Sequence, residues 1–344
     1  RTPKSQRSAV IEARAMALGW HGWRLWAAAL PLLLFAVESA NPKKQGKLGG
    51  ESLEGLLKPS DIPDSPHSKG FEPRSPSSDR FSFGRAHAAL EHILEKVPAG
   101  DIQQVPRELQ AFSSSFKLKL VSALSDQVIE QALTDASAAA GLQMYPSPQK
   151  KYLARWRADK EAVKTEFPEN TRGVRMLVLG SSMGTYELRT LPLFLRIPIP
   201  PYAFHEVVSV EPEAHLSSTG SQLIFHAVGE EHTDIVRHLP LVPSDRTPLS
   251  ETLESLQETY ELPDFDLVVL SGGSREKQSD ELQALMKTGL LHNGTVVSAH
   301  GPGSDHDATG RYLMGLGNRS FNNQVHELDD GSAAILSIYR PRSR

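Results

Sequence analysis

Three groups of residues have types and spacings suited to chemistry. The first is Gly180-Ser181-Ser182-Met183-Gly184-Thr185-Tyr186, directly after an apolar run. Glycines at such a turn let the backbone bend sharply and come close to a nucleotide-like ligand, with helix amides nearby to solvate its polar groups. A tight strand-to-helix turn that binds nothing is the alternative. The second is Glu211, at the end of the run EVVSV and followed by Pro212. A carboxylate there offers two acceptor oxygens to a ribose diol, and a solvated strand-end acid is its alternative. Together the two point to an adenosine-type cofactor. The third is His300-Gly301-Pro302-Gly303-Ser304-Asp305-His306-Asp307. A histidine near its ordinary pKa of ~6.5 suits proton abstraction from a hydroxyl, and a polar surface loop with incidental histidines reads the same way. His226, His232 and His238 stand six residues apart, which is no helical ligand pair, and solvated positions are expected for them.

The elements that must hold these groups follow from periodicity. Ala89, Leu90, Ile93 and Leu94 predict a helix over 85–96, stopped by Pro98-Ala99-Gly100-Asp101. Further helices are expected over about 105–116, 117–140 and 149–167, so the first half of the domain reads as helical. Then five short apolar runs appear: 174–179, 206–210, 266–270, 295–298 and 333–339. Continuous runs of this length suit strands buried on both faces of a parallel sheet. Alternating with helices, they predict a doubly wound α/β sheet whose ligands lie beyond the carboxyl ends of the strands. The stretch Leu191 to Tyr202, rich in Pro, accounts for the 31 residues between Gly180 and Glu211 as a loop or lid.

Composition narrows the rest. The 344 residues include no cysteine, which removes thiolate zinc, thiol nucleophiles and disulfides. With 37 basic against 41 acidic side chains there is no electrostatic footprint for nucleic acid. Residues 1–15 read as possible upstream sequence before Met16. The apolar run Leu25 to Val37 is too short for a ~30 Å hydrocarbon core, so 1–40 reads as a signal peptide, or as a signal anchor that gives membrane association. Residues 41–83 hold 6 Pro, 5 Gly and 8 Ser, the composition of a disordered linker. The folded domain is expected over 84–344, in a lumenal or extracellular setting. Asn293 and Asn318 begin sequons that such a setting would expose to glycosylation.

Leu177-Val178-Leu179-Gly180-Ser181-Ser182-Met183-Gly184-Thr185-Tyr186 resembles the first-strand motif L-E-L-G-x-Y-x-G-Y-S of the catechol O-methyltransferase-like class of S-adenosylmethionine-dependent methyltransferases. Similar pieces recur in order through 92–101, 207–212, 260–270, 290–299 and 330–339, so the resemblance covers most of 85–341. It implies a mostly parallel, seven-stranded Rossmann-like sheet behind a helical amino-terminal portion. It also implies S-adenosylmethionine as cofactor and a small hydroxyl-bearing acceptor. Met144, Gly180, Ser182, Gly184, Glu211 and Ser250 occupy the family's cofactor-binding places, and His300 is the candidate base.

Several family groups are replaced. The first-strand acid is Val178 and its aromatic neighbour is Ser182. The magnesium ligands after the fourth and fifth strands correspond to Ser271 and to Ala299-His300. The catalytic lysine corresponds to Ser274, with Lys277 one helical turn on, and the acceptor-contacting acid to Gln324. Magnesium is therefore not expected and cofactor binding is expected to be weakened. Two functions follow: a methyltransferase acting without the family metal, or a catalytically inactive relative serving as a binding or chaperone-like module with a protein partner. An NAD-dependent oxidoreductase on a similar sheet fits the strand order less well.

Overall fold

The computed structural model describes residues 83–116, 125–243, 247–260, 264–271, 274–300, 320–328 and 333–341. The expected signal segment, the linker, Asn318 and residues 301–307 of the histidine-rich loop lie outside the described residues. Three helices come first: α1 (Phe83–Lys96), α2 (Gln104–Ser115) and α3 (Asp126–Ala139). Each buries one stripe, Ala86, Ala89, Leu90 and Ile93 on α1 and Val105, Leu109 and Phe112 on α2. Ser125 opens α3 by accepting the Val128 amide. The expected helix over 149–167 is two, α4 (Lys150–Ala158) and α5 (Lys160–Lys164). Asp159 separates them by leaving helical geometry and capping the Ala162 amide, an example of aspartate's preference for a cap over a helix interior.

From there strands and helices alternate: β1 (Arg175–Leu179), α6 (Thr185–Phe194), β2 (His205–Val210), α7 (Ala214–Val228), β3 (Val236–Leu241), α8 (Leu249–Tyr260), β4 (Phe265–Ser271), α9 (Arg275–Thr288), β5 (Leu291–His300), β6 (Phe321–Glu327) and β7 (Ala333–Tyr339). The sheet order is β3-β2-β1-β4-β5-β7-β6. Strands β1 to β5 are parallel, and β7 runs antiparallel between β5 and β6. This is the expected seven-stranded, doubly wound Rossmann-like sheet. Successive residues on a strand enter opposite cores, Met176 and Val178 on one face and Leu177 and Leu179 on the other. That requirement for apolar side chains on both faces makes β1, β4 and β5 readable as continuous runs.

Two strands escaped that pattern because they lie at the edges. β3 carries Arg237, His238 and Pro240, and an edge tolerates a proline and charges. β6 (FNNQVHE) is largely exposed and polar. The stretch expected as a loop or lid is part helix and part buried loop. Residues to Phe194 belong to α6, and beyond it Leu195, Ile197 and Ile199 are buried, with the Tyr152 hydroxyl donating to the Ile199 carbonyl. The histidines expected in solvent are also engaged. His226 Nε2 lies 2.8 Å from the Val97 carbonyl, and burial pushes both His232 and His238 down, His238 to about 4.

At the amino ends of the central strands a buried carboxylate gathers three partners. Asp266 accepts from the Arg172 guanidinium, from the Arg175 amide at 2.8 Å and from His292 Nε2 at 3.0 Å. Burial alone would raise its pKa, but His292 and Arg172 outweigh it and hold the carboxyl below its usual range. Among the described residues no helix is long and apolar enough to cross a membrane.

Candidate functional site

The glycine loop sits at the switch point between β1 and β4, where neighbouring crossovers leave in opposite directions and a crevice opens. Gly180, Ser182 and Gly184 all have left-handed backbones, with φ of 75°, 56° and 71°. A Cβ on Gly180 would stand 2.2 Å from the Ser271 carbonyl oxygen, and one on Gly184 would stand 2.9 Å from Ile224 Cδ1. Packing against the Ser271 backbone thus requires a glycine at 180, whereas at 184 it is chiefly the left-handed backbone that favours one, since the Ile224 side-chain end can shift. Gly180→Ala is expected to cost at least about 1–2 kcal/mol from its backbone conformation alone, with a further loss from displacing β4. A thermal midpoint equal to that of the parent would show that the loop does not hold this geometry.

Ser182 is the loop's strained residue, since a side chain at positive φ is unfavourable and needs support. Support comes from Glu211, which is 1% exposed. Its Oε2 accepts the Ser182 amide at 2.6 Å and its Oε1 accepts the Glu213 amide at 3.1 Å. The structure therefore brings Gly180, Ser182, Gly184 and Glu211 together. The Ser182 hydroxyl is buried and lacks a hydrogen-bond partner.

Beneath this loop lies a second buried carboxylate that the sequence reading did not single out. Glu187, in the first turn of α6, has its Oε1 2.7 Å from the donating Ser209 hydroxyl, and Ser209 Oγ in turn lies 2.9 Å from His238 Nε2. Glu187 Oε2 has no partner. Burial pushes its pKa up to about 7, against the Ser181 and Ser209 hydroxyls and with Glu211 adding to the rise. An acid in a first helical turn is common because it suits the helix dipole, so nothing in the sequence marked it.

Ser250 is half-buried at the start of α8, next to Glu251 and Thr252, which line a groove with Leu241, Val242 and Pro243 of the β3 end. Met144 is half-buried against the core that also holds Met183 and Tyr186, with its sulfur 3.5 Å from the Thr134 hydroxyl of α3. Its neighbour Tyr145 pairs through its amide with the Arg196 carbonyl, past the carboxyl end of α6, whereas the glycine loop caps the amino end.

His300 ends β5 in register with Ser271 of β4. It is buried and stacked on Tyr186 with ring centroids 5.5 Å apart, and its Nε2 has no partner. Burial, then Arg275 and Arg189, push its pKa down to about 3, which makes it a weaker base than the sequence suggested. Behind it Arg275 and Gln278 of α9 form a clamp. Arg275 Nη1 donates to Gln278 Oε1 at 2.8 Å, and Gln278 Nε2 donates to the His300 carbonyl at 2.8 Å. Where the resembling family has carboxylates, the ends of β4 and β5 present a hydroxyl, an imidazole and a buried guanidinium. Among the described residues no group of three His, Asp or Glu is placed to hold a metal. Ser274 caps α9, exposed Lys277 pairs with Glu281, and Gln324 faces solvent on β6.

No protein-family model and no curated protein sequence matches the chain. Similar solved structures include a SAM-dependent methyltransferase from Aquifex aeolicus, at 12% identity over 63% of this chain and 99% of that one, with a TM-score of 0.34. Human methyltransferase-like protein 13 in complex with SAH matches at 15% identity over 57% and 84%, with a TM-score of 0.34. The precorrin-6y C5,15-methyltransferase of Geobacter metallireducens GS-15 matches at 10% identity over 53% and 87%, with a TM-score of 0.33.

Proposed function

We propose that the chain binds S-adenosylmethionine at the carboxyl ends of β1 and β2 and methylates a small hydroxyl-bearing acceptor without magnesium. What supports this most is Glu211, a buried carboxylate at the end of β2 fixed against a left-handed glycine loop at the switch point of the sheet. The residues fit the group. Glu211 offers carboxylate oxygens to a vicinal diol, the Ser182 hydroxyl lacks a partner within the protein, and Ser250 stands beside the groove at the β3 end. When bound, the cofactor supplies a methyl group already activated on a cationic sulfur, so positioning can provide most of the acceleration.

The acceptor side falls to Tyr186 and His300. Both are buried, which keeps the neighbourhood of the transfer dry, and His300 is neutral throughout the physiological range. With so little affinity for protons, it suits an acidic hydroxyl such as a phenol better than an aliphatic alcohol. The described donors at the ends of β4 and β5, Ser271 and His300, do not fit a hard dication, which requires oxygen ligands, usually including carboxylate.

Calorimetric titration of the full chain tests the reading. Binding of S-adenosylmethionine that magnesium leaves unchanged is expected, with a loss of at least about tenfold in Glu211→Ala. Absence of binding to the parent at millimolar cofactor would overturn it, and unchanged affinity in Glu211→Ala would remove the ribose assignment. Binding without turnover on any phenolic acceptor would favour the inactive relative.

A further inference from the structure

We propose that Glu187 is a positioning residue of this site that makes it favour the sulfonium cofactor over its neutral thioether product. The inference rests on the cofactor reading above. Its basis is a carboxylate completely enclosed beneath the glycine loop, bonded by the Ser209 hydroxyl at 2.7 Å, with the Ser181 hydroxyl of the loop and the Glu211 carboxylate close enough to act on its charge. Two buried carboxylates close together carry more negative charge than the hydroxyls around them offset, and the buried Ser182 hydroxyl of the same loop lacks a partner, so the region suits a ligand with positive charge and donors.

The location is specific. Val178 occupies the place of the acid in the first-strand motif, and Val178 is in register with Ser209 on the neighbouring strand. Glu187 bonds that same Ser209 from the helix packed above. Negative charge absent from β1 is thereby restored from α6, over the same row of the sheet. The His238-Ser209 contact fixes the arrangement, because one hydroxyl proton serves Glu187 while the hydroxyl oxygen accepts from the imidazole N–H.

The titratable and charged groups around Glu187 are Glu211 at the end of β2, His238 on β3, and Tyr186 and Arg189 on its own helix. Arg189 is paired with Asp126 of α3, and His215 at the start of α7 lies near Glu213. Glu211 opposes the ionisation of Glu187. A cation arriving near the two acids favours the ionised form, so affinity for a sulfonium should climb as pH rises through about 7 and level off above. A neutral thioether lacks that charge and should gain much less.

The test is calorimetry of the full chain with S-adenosylmethionine and with S-adenosylhomocysteine at pH 6.0, 6.75 and 7.5. The parent should show the sulfonium-to-thioether affinity ratio rising by roughly 3–10-fold across the range, as expected for unit charges less than about 10 Å apart in a partly buried site. Glu187→Gln keeps the shape and one hydrogen bond, and its ratio should be low and flat with pH. Its thermal midpoint, followed alongside, confirms that the variant is folded. Ser209→Ala should blunt the rise without abolishing binding. A parent that binds both ligands with a pH-independent ratio, or a Glu187→Gln that keeps the parent's rise, overturns the role of Glu187 and leaves the cofactor reading standing. A parent that binds neither overturns both.

Discussion

Replacing Asp266 by alanine is expected to destabilise the protein by about 3 kcal/mol or more, seen as a lower urea midpoint at unchanged slope. The cost comes from the groups left behind. Arg172, His292 and the Arg175 amide all point at a carboxylate with no exposed surface. Without it they keep the desolvation of the folded state and lose the charge that offset it. Arg172 retains Asp264 at 3.2 Å and is partly open to water, which limits the loss. Asp266→Asn, which preserves two of the hydrogen-bond acceptor sites but no charge, should fall between parent and alanine variant. A loss below about 1 kcal/mol for alanine would show that water replaces the carboxylate.

Acid should unfold this protein early. His205, His238 and His300 are pushed down to about 4, 4 and 3, in each case chiefly by burial. His205 shows the cause. Its Nδ1 accepts the Val174 amide at 3.1 Å, its Nε2 faces the Ile197 carbonyl at 3.3 Å, and Phe194 stacks on the ring. The unfolded chain takes up these protons from about pH 6.5 downwards and the folded one only near pH 4, so stability falls with pH across that window. Glu187 acts in the opposite direction. Its folded pKa of about 7 means that it holds a proton the unfolded chain releases, and its contribution is lost as pH rises from 4.5 to 7. His292, raised by Asp266, shares that sign. Three protons against one leaves about two near pH 5.5, or roughly 2–3 kcal/mol per pH unit. Urea midpoints at pH 7.0, 6.0 and 5.0 measure this directly. A flat profile would mean that the three rings are solvated in solution.

The central strands were legible because a doubly buried strand needs apolar residues on both faces, and runs such as Val174 to Leu179 satisfy nothing else. β3 and β6 were not, because an edge strand buries too little to impose a pattern on Arg237, His238 or Asn322. The glycine loop and Glu211 were legible as a pair because backbone geometry and a strand-end acid leave marks in the sequence. Glu187 and the Arg275-Gln278 clamp were missed. Their significance lies in partners on other elements, Ser209, Ala333 and the His300 carbonyl, that no local spacing reveals.

The position of β7 has a consequence for how the protein is made. Its residues, Ala333–Tyr339, are made after those of β5 and β6, yet they lie between these two strands. Until they emerge, β5 keeps an open flank and β6 has no neighbour. β1 meets a similar delay, since the Arg175 amide must wait for Asp266, 91 residues later. Pairings this distant close slowly and leave apolar strand edges uncovered in the interval. The nascent chain therefore carries β1 to β5 with one flank uncovered until β7 is made, and a stop codon just before Ala333 would release those five strands with β6 unpaired rather than a slightly shortened protein.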